Sequence, residues 1–491
     1  MEGNALHEIV GRTSEWSALS QFASSGAAEA TLGIVWGRRR VGKSFLLQSL
    51  AQQVGGFHFE AVRGAPAEAL RSFGESIGAY QRSTAPLAFL NWEQVIDALM
   101  RLGAERETVV VLDEFPYLLE HSPELESIIQ RAFSPRNPLR TESRTRLILC
   151  GSATTVMGNL LSGSAPLRGR AGLDLRISPF DFRVTRTLHG IEDLATALRT
   201  YAVIGGVAAY AREMSENDVP SGPGDFDRWI CRRVLSPAAP LFSEIQLLLS
   251  EDPATSKARK LNLYHATLAA VASGNHTWGS LTSNLGMSGA SLKPIMDALL
   301  NAEFVVRIAD PIRENRALYQ PADSMLRFHY ALLRRHAERL GRHGADTQGI
   351  WHAIEPTFRS QVLGPCFESV ARFWTTHFAD HATLGVPPDH VGPTTLTLAD
   401  GTDAELDVVV AADDGTVPSE RTVHAIGEAK VARLFTLREL NRLEAARDAL
   451  GERAAAAKLL IFGSAFDDSV REVAATRGDL ELVDLRRLYG E

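Results

Sequence analysis

The sequence is poor in cysteine and has no long hydrophobic run. Its 491 residues include three cysteines, Cys150, Cys231 and Cys366, whose scattered positions match no metal-ligand spacing and indicate buried thiols in a reducing compartment. The apolar stretches end well short of the roughly 20 residues that cross a bilayer. The N-terminus lacks the basic and then hydrophobic regions of a secretory signal. We therefore expect a cytoplasmic protein without a membrane partner.

An excess of positive charge is also missing. The chain has 51 Lys and Arg against 59 Asp and Glu, which gives a net charge of −8. No global attraction draws such a chain to nucleic acid, so any contact with DNA depends on local basic surface. Repeats and low-complexity tracts are absent as well. The length is too great for one hydrophobic core, and about two to four domains are expected.

A glycine-rich loop between an apolar run and a helical pattern is the most informative feature present. The run Thr31–Trp36 precedes the loop Gly37–Ser44, and the residues after Ser44 have helical spacing. Backbone N–H groups of such a loop surround a phosphate at a helix N-terminus. We predict that ATP is bound by Gly37, Arg38, Arg39, Arg40, Val41, Gly42, Lys43 and Ser44. Lys43 would reach the β- and γ-phosphates, and Ser44 would ligate Mg²⁺.

Two further strands carry residues suited to ATP hydrolysis. Thr108-Val-Val-Val-Leu-Asp113-Glu114 predicts a buried strand that ends in two carboxylates. Asp113 would hold the Mg²⁺ shell, and Glu114 would orient or deprotonate the attacking water. The strand that begins at Thr145 ends near Ser152, which either senses the γ-phosphate or caps a helix. Both interpretations of Ser152 remain open.

A loop with two arginines follows the third strand. In Pro166-Leu-Arg-Gly-Arg170, the last arginine could stabilise the transferring phosphoryl group, either in its own chain or from a neighbour. The alternative is an ordinary surface arginine.

These motifs together resemble a known family. Gly11-Arg12-Thr-Ser-Glu15-Trp16, the phosphate loop, Leu-Asp-Glu-Phe-Pro-Tyr, Cys-Gly-Ser-Ala, Pro-Leu-Arg-Gly-Arg and Tyr201-Ala-Val-Ile-Gly-Gly-Val follow one another as in archaeal-type ATPases, which are AAA-like or STAND-like P-loop proteins. The resemblance covers nearly the whole chain. It implies that Arg12 lies near the adenine or ribose, that a helical lid follows the core, and that the C-terminal part is a PD-(D/E)xK nuclease-like domain.

The middle of the chain predicts a winged helix. Two helical patterns flank a tight turn at Gly286, and two short strand patterns flank the polar loop Asp310–Arg316. Ser288, Ser291 and Lys293 on the second helix, with Arg313 and Arg316 in the wing, are sparse for a DNA-reading surface. A structural relay is therefore favoured over direct DNA contact. The basic stretch from Arg327 onward is either a solvated linker helix or a phosphate-backbone patch.

The C-terminal part carries a constellation typical of PD-(D/E)xK nucleases. Glu368 lies on a predicted helix over Phe358–Phe378, Asp407 lies on a strand, and Glu428 and Lys430 lie on the next strand. Because strand side chains alternate, Glu428 and Lys430 share a face. Asp407 and Glu428, with Glu368, could hold Mg²⁺ or Mn²⁺ while Lys430 lies beside the attacking water. Cross-strand ion pairs without catalysis are the alternative.

The expected fold is α/β and multidomain. We predict a P-loop NTPase core with a parallel sheet over 1–184, a helical lid over 185–256, a winged helix over 257–330, a basic linker helix over 331–355, and a restriction-endonuclease-like domain over 356–491. The predicted function is an ATPase that uses Mg²⁺ and couples its nucleotide state to a winged helix and a nuclease-like C-terminal module acting on DNA, which would cut DNA if Asp407, Glu428 and Lys430 are competent. A non-cleaving, ATP-switched DNA-binding regulator and a signalling scaffold that forms oligomers on binding ATP are the alternatives.

Overall fold

The computed structural model describes residues 9–491 apart from 153, 162, 164, 252–254, 256–257 and 432. The chain forms two compact units. The first contains Met1–Phe180 and Val207–Ala209, and the second contains Asp181–Gly206 and Tyr210–Glu491.

A five-stranded sheet forms the centre of the first unit. Its strands are β1 (Thr31–Trp36), β2 (Phe57–Glu60), β3 (Thr108–Asp113), β4 (Thr145–Gly151) and β5 (Ala171–Arg176). Their order is β2-β3-β4-β1-β5, and every neighbouring pair is parallel. All six residues of β3 and all seven of β4 are buried, as expected for central parallel strands covered on both faces. The predicted parallel sheet of a P-loop NTPase is confirmed.

Helices flank this sheet and separate its strands. They are α1 (Thr13–Ala23), α2 (Lys43–Val54), α3 (Pro66–Tyr80), α4 (Trp92–Glu105), α5 (Phe115–His121), α6 (Leu125–Ala132), α7 (Pro138–Thr141) and α8 (Thr154–Asn159). The apolar face of α4 packs with β3 and β4, and the Asn91 side chain caps its first turn by accepting from the Gln94 N–H.

The second unit begins with helices and a β-hairpin. The helices are α9 (Phe182–His189), α10 (Leu194–Ile204), α11 (Ala208–Arg212), α12 (Pro223–Arg233), α13 (Pro240–Glu251), α14 (Ala258–Ala272), α15 (Trp278–Leu285) and α16 (Gly289–Asn301). Gly286 ends α15 in the left-handed conformation, with φ +61°. Strands β6 (Val305–Ala309) and β7 (Ala317–Pro321) pair antiparallel. The helix, turn, helix and hairpin predicted for this segment are therefore present.

Two long helical runs connect this region to the C-terminal sheet. The first contains α17 (Ser324–Phe328), the π-helical segment His329–Leu333 and α18 (Arg334–Leu340). The second contains α19 (Thr347–Phe358), the π-helical segment Arg359–Leu363 and α20 (Gly364–His377). The helix expected over Phe358–Phe378 is thus the end of a run that starts at Thr347. Pro365 lacks an N–H donor, which explains the wider turn just before it.

A mixed five-stranded sheet completes the second unit. It contains β8 (His390–Thr397), β9 (Asp403–Ala411), β10 (Val423–Lys430), β11 (Lys458–Gly463) and β12 (Leu480–Val483) in the order β12-β11-β10-β9-β8. The β8–β9 and β9–β10 pairs are antiparallel, whereas β10–β11 and β11–β12 are parallel. The accompanying helices are α21 (His381–Leu384), α22 (Leu437–Leu450), α23 (Asp468–Thr476) and α24 (Leu485–Tyr489), with 3₁₀ turns at Pro418–Glu420 and Gly451–Ala454.

Within the described residues, no helix combines the length and apolar character needed to cross a membrane.

Candidate functional site

The phosphate loop joins β1 to α2 through two glycines with positive φ. Gly37 has φ +148°, and a Cβ there would lie 2.2 Å from the Ile177 carbonyl oxygen, so no other residue fits. Gly42 has φ +94° and immediately precedes the first residue of α2. Arg40 also lies in the left-handed region, with φ +69°. These left-handed residues curve the loop just before the N-terminus of α2, whose free N–H groups and dipole favour a bound anion.

Lys43 is buried inside this loop and held by its backbone. The Lys43 Nζ donates to the carbonyl oxygens of Gly37 at 2.9 Å and Arg38 at 2.7 Å. Burial lowers the pKa of Lys43, and the nearby Cys150, Glu114 and Asp113 oppose that shift. A buried ammonium group beside two acids is suited to exchange its carbonyl partners for phosphate oxygens.

Asp113 ends β3 as a buried, ionised carboxylate. Burial alone would raise its pKa, but interactions with His58, Cys150 and Ser44 outweigh burial and lower the pKa to about 2. The Asp113 Oδ1 accepts from the Glu114 N–H at 2.8 Å, and the His58 Nε2 lies 3.7 Å from Oδ2. Ser44 and Asp113 thus form a neighbouring hydroxyl and carboxylate, the oxygen ligands that suit Mg²⁺.

Glu114 lies between β3 and α5 in a strained backbone conformation. Its φ of +50° is unusual for a residue other than glycine. The Ser152 Oγ donates to the Glu114 carboxylate, at 2.9 Å from Oε1 and 3.0 Å from Oε2. Ser152 follows Gly151, where a Cβ would lie 2.5 Å from the Pro116 Cδ. This close approach brings the end of β4 against the start of α5 and so joins the two polar side chains.

Arg12 connects the start of the chain to the phosphate loop. Its Nη2 donates to the carbonyl oxygens of Val41 at 3.0 Å and Ser178 at 2.6 Å, and Nη1 donates to Glu15 at 2.7 Å. The guanidinium lies 3.9 Å from the centre of the Phe180 ring. Burial lowers the Arg12 pKa, while Glu15 opposes the shift. Arg12 therefore supports the loop directly through Val41.

Arg170 donates to backbone carbonyls that lie outside the phosphate loop. Its Nε donates to the Pro166 oxygen at 3.3 Å and its Nη1 to the Phe133 oxygen at 3.5 Å. Neither carbonyl belongs to the phosphate loop. Arg39 donates to the hydroxyl of Tyr117 on α5, the last residue of the Leu-Asp-Glu-Phe-Pro-Tyr motif.

The C-terminal carboxylates lie on neighbouring antiparallel strands. The register pairs Gly427 with Val408, which sets Glu428 beside Asp407 across β10 and β9. The Asp407 Oδ2 accepts from the Ala429 N–H at 2.8 Å, and the Lys430 Nζ lies 2.5 Å from Glu428 Oε1. The strand geometry therefore brings three of the predicted residues, Asp407, Glu428 and Lys430, together.

Glu368 approaches this group from α20. Burial raises the pKa of Asp407 well above its usual value, and the charges of Glu368 and Glu428 add to the rise. Arg372, one turn after Glu368, donates to the Asp407 carbonyl oxygen at 3.0 Å and ties α20 to β9. In the described ranges, no three His, Cys, Asp or Glu side chains are grouped so that they could hold a metal ion.

The hairpin loop between β6 and β7 packs against the C-terminal sheet. Ile312 is 1% exposed and belongs to that sheet's apolar core. The Asp310 Oδ2 accepts from Thr394 Oγ1 at 2.7 Å, and Arg421 donates to the Pro311 carbonyl oxygen at 3.1 Å. The loop that carries Arg313 and Arg316 is therefore an internal contact of the second unit.

The second helix of the predicted winged helix offers little free charge. Lys293 lies 2.8 Å from Asp297 on α16, and the hydroxyls of Ser288 and Ser291 lie 3.0 Å apart. These contacts, like those of the hairpin loop, favour the structural interpretation of this module.

Two residues of the site, His58 and Arg372, were not predicted from the sequence, and Cys150 was predicted only as a buried thiol. His58 and Cys150 contact Asp113, and Arg372 contacts β9. His58 lies in the alternating stretch Phe57-His-Phe-Glu60, but its position depends on β2 pairing with β3. Local sequence does not encode that pairing.

Comparison with known proteins identifies the first domain. Residues 9–191 match the family described as an ATPase domain predominantly from Archaea. The match contains the phosphate loop, Asp113, Glu114, Ser152 and Arg170, and it confirms a P-loop ATPase domain. The match ends just after α9, so it does not extend to the helices that follow or to the C-terminal sheet.

Similarity to three known proteins extends over more of the chain. The uncharacterized protein MJECL04 of Methanocaldococcus jannaschii is 24% identical over 372 residues, which cover 74% of this chain and 76% of that protein. The Walker-type ATPase PABY2304 of Pyrococcus abyssi matches with a TM-score of 0.51 and 20% identity, over 66% of this chain and 96% of that chain. The Aeropyrum pernix ORC2 protein matches with a TM-score of 0.43 and 14% identity, over 70% of this chain and 95% of that chain. At 20% identity, the Pyrococcus structure supports the fold alone.

Proposed function

We propose that this protein binds ATP with Mg²⁺ at the phosphate loop and hydrolyses it. The observation that carries the proposal is the position of Lys43 at the start of α2, directly after the phosphate loop, with Asp113 and Glu114 at the carboxyl end of β3 in the same parallel sheet. The two acids are close enough to Lys43 to oppose the lowering of its pKa. A cation, a metal-binding carboxylate and a second carboxylate beside a phosphate-binding turn are the parts that phosphoryl transfer to water requires.

Each residue has a distinct role in this proposal. The backbone of Gly37–Ser44 and the Lys43 ammonium hold the β- and γ-phosphates. Ser44 and Asp113 would hold Mg²⁺, which neutralises phosphate charge when bound. Glu114 accepts a proton from, or orients, the attacking water. The Ser152 hydroxyl fixes the Glu114 carboxylate through the bonds of 2.9 and 3.0 Å.

Two arginines have supporting roles. Arg12 would lie near the adenine or ribose while it holds the loop at Val41. Arg170 would stabilise the transferring phosphoryl group, in its own chain or in a neighbour, after it leaves the Pro166 and Phe133 carbonyls.

The Glu114→Gln substitution tests the hydrolysis step. It keeps the size of the side chain and one of its two acceptor oxygens but removes the base, so turnover should fall by a factor on the order of 10² to 10⁴ while ATP affinity is retained. Glu120→Gln, an exposed change on the same helix α5, is the matched control and should keep wild-type turnover. Equal turnover in wild type and Glu114→Gln would show that Glu114 does not act as the base in ATP hydrolysis.

We further propose that ATP controls metal-dependent DNA cleavage by the C-terminal sheet. Asp407 and Glu428 would hold Mg²⁺ or Mn²⁺, with Glu368 from α20 as an additional carboxylate. Such an ion polarises a phosphodiester and its attacking water when bound. Lys430 would position that water, and its place two residues from Glu428 on one strand puts both side chains on one face. The cross-strand position of Asp407 supports this assignment.

In this proposal the modules have separate tasks. The lid over 185–256 responds to the nucleotide, the winged helix over 257–330 and the basic linker over 331–355 transmit that state, and the nuclease-like domain over 356–491 acts on DNA. The contacts of the hairpin loop with the C-terminal sheet through Ile312 and Asp310 support transmission over direct DNA reading.

The second candidate is a protein that does not cleave DNA. It would be either a regulator that uses ATP as a switch for DNA binding or a scaffold that forms oligomers on binding ATP. The observation that favours it is the Glu428–Lys430 ion pair, together with the lack of a three-ligand metal grouping among the described side chains. Such a protein retains DNA, or assembles with ATP, without cutting.

A nuclease assay with and without ATP separates these candidates. Lys430→Ala should abolish plasmid cleavage in Mg²⁺ or Mn²⁺, whereas Lys458→Ala, on the adjacent strand β11, should not. Cleavage that persists in Lys430→Ala would reject the site. If wild type does not cut but shifts DNA in a gel, the regulator is favoured, and ATP-dependent light scattering without DNA binding favours the scaffold.

A further inference from the structure

A cavity of about 260 Å³ adjoins the C-terminal carboxylates. Glu428 and Lys430 line one part of it, and Arg433, Arg438 and Arg442 line another. The arginines follow β10 in the connection to α22 and in the first turns of that helix. The cavity therefore places three guanidinium groups beside the residues assigned to cleavage.

The acidic side chains of the cavity are largely engaged. Glu428 pairs with Lys430 at 2.5 Å. Glu439 accepts from the Thr436 N–H at 3.0 Å, where it completes the cap of α22. Glu405 also lines the cavity and is exposed. Two of the three carboxylates are thus bonded within the domain, and Glu439 interacts with Arg433 through its charge without a direct bond.

The arginines differ in how they are held. Arg442 donates to the Asp403 carbonyl oxygen, so its guanidinium is fixed at the rim. Arg433 and Arg438 are exposed, and neither has a hydrogen-bond or ion-pair partner within the part of the chain that the structure describes. Two exposed guanidinium groups that make no hydrogen bond or close ion pair with the carboxylates of the cavity are available to an anion from outside.

The helix that carries two of these arginines is rigidly seated. Leu440 and Leu443 of α22 are each 2% exposed and pack in the core of the C-terminal sheet. Arg438 and Arg442 are four residues apart, so they lie on one face at a separation of about 6 Å along the helix axis. The positive end of the helix dipole adds to the charge near Arg438. Helix α22 therefore presents two guanidinium groups to the cavity in a fixed arrangement.

We propose that this cavity holds the backbone of a nucleic-acid strand, with successive phosphates bound by Arg433, Arg438 and Arg442. Guanidinium groups bind phosphate oxygens in a bidentate manner, and a row of them suits a polymer with repeated anions. The proposal rests on the proposed cleavage site, because it explains how a strand reaches Lys430. The arginines are positioning residues that bind the strand without reacting.

The test measures DNA binding by the full chain in a Lys430→Ala background without divalent metal. Fluorescein-labelled DNA, single-stranded or duplex, is titrated at several salt concentrations. Arg438→Gln, and separately Arg433→Gln, should weaken binding and lower the log–log salt slope by about 1 each. Arg471→Gln, an exposed arginine on α23 of the same domain, is the control and should leave both values unchanged.

The outcomes separate this proposal from the proposed cleavage. The proposal that the cavity binds a strand would be overturned if Arg433→Gln and Arg438→Gln left the DNA affinity and the salt slope unchanged. It would also be overturned if Arg471→Gln lost as much DNA affinity as these two variants. These two variants could weaken DNA binding while the wild-type protein, which retains Lys430, cleaves no DNA. That result would support the strand-binding cavity and reject the proposed nuclease activity. In an active protein, the same variants should raise the DNA concentration needed for half-maximal cleavage more than they lower the maximal rate.

Discussion

The Ser152 hydroxyl donates to both carboxylate oxygens of Glu114, at 2.9 and 3.0 Å, across the ends of two neighbouring strands. Glu114 also has a left-handed backbone, with φ +50°. The side chain assigned to water activation is therefore held at its backbone and at its carboxylate. A single hydroxyl, from the residue that follows β4, fixes the carboxylate's orientation relative to Asp113 on β3.

Replacing Ser152 should impair turnover more than nucleotide binding. Ser152→Ala removes a hydrogen bond to a charged group, which contributes about 1.5–3 kcal/mol, and we expect turnover to fall roughly tenfold to a hundredfold. Ser152→Thr keeps the hydroxyl and should restore most of the activity. Steady-state ATPase rates and the Michaelis constant for ATP provide the measurement, and wild-type turnover in Ser152→Ala would contradict the role.

The burial of Ile312 makes a prediction about the hairpin loop. Because this side chain is 1% exposed within the core of the C-terminal sheet, Ile312→Ala should lower the free energy of unfolding by about 2–5 kcal/mol. Val306, on strand β6 of the same hairpin, is 40% exposed, and Val306→Ala should change that free energy by less than about 0.5 kcal/mol. Denaturant titration followed by circular dichroism measures both. Equal effects of the two changes would mean that the loop is free in solution.

His329 should make the stability of the second unit depend on pH. Burial, with the charges of His265 and Arg334, lowers its pKa to about 3, and neither ring nitrogen has a hydrogen-bond partner among the described residues. Below the ordinary histidine value near 6.5, the unfolded chain binds a proton that the folded chain does not. His329 should therefore contribute a fall in stability of about 1.4 kcal/mol per pH unit from roughly pH 6.5 toward pH 3.

The His329→Leu variant isolates this contribution. Its free energy of unfolding should decrease less steeply than that of wild type between about pH 6.5 and 5, measured by denaturant titration at each pH. His381→Leu is the control, because that ring is exposed at the surface. A wild-type slope in His329→Leu would show that the buried ring does not govern this pH dependence.

Sequence patterns predicted the elements that are local. The apolar runs that became β1 and β3, and the glycines that frame Lys43, give strand, turn and helix in one short segment. The alternation around Glu428 and Lys430 likewise predicted strand β10. In each case neighbouring residues determine the structure.

Features that depend on distant parts of the chain were not predicted. Strand β8 contains Gly392 and Pro393, which normally disfavour a strand, and the structure accommodates them by a register shift at the sheet edge. The burial of Ile312 depends on the packing of the hairpin loop against that sheet. The Ser152–Glu114 contact depends on the close approach at Gly151, for which no local pattern exists.

The most direct test of this account is a calorimetric titration of ATP with Mg²⁺ into the wild-type protein and into Lys43→Ala. We predict saturable binding by wild type and a loss of measurable binding in the variant, whose folding is checked by circular dichroism because it also loses the Lys43 hydrogen bonds to Gly37 and Arg38. Absence of heat from folded wild-type protein, or equal affinity in Lys43→Ala, would contradict the assignment of the phosphate loop.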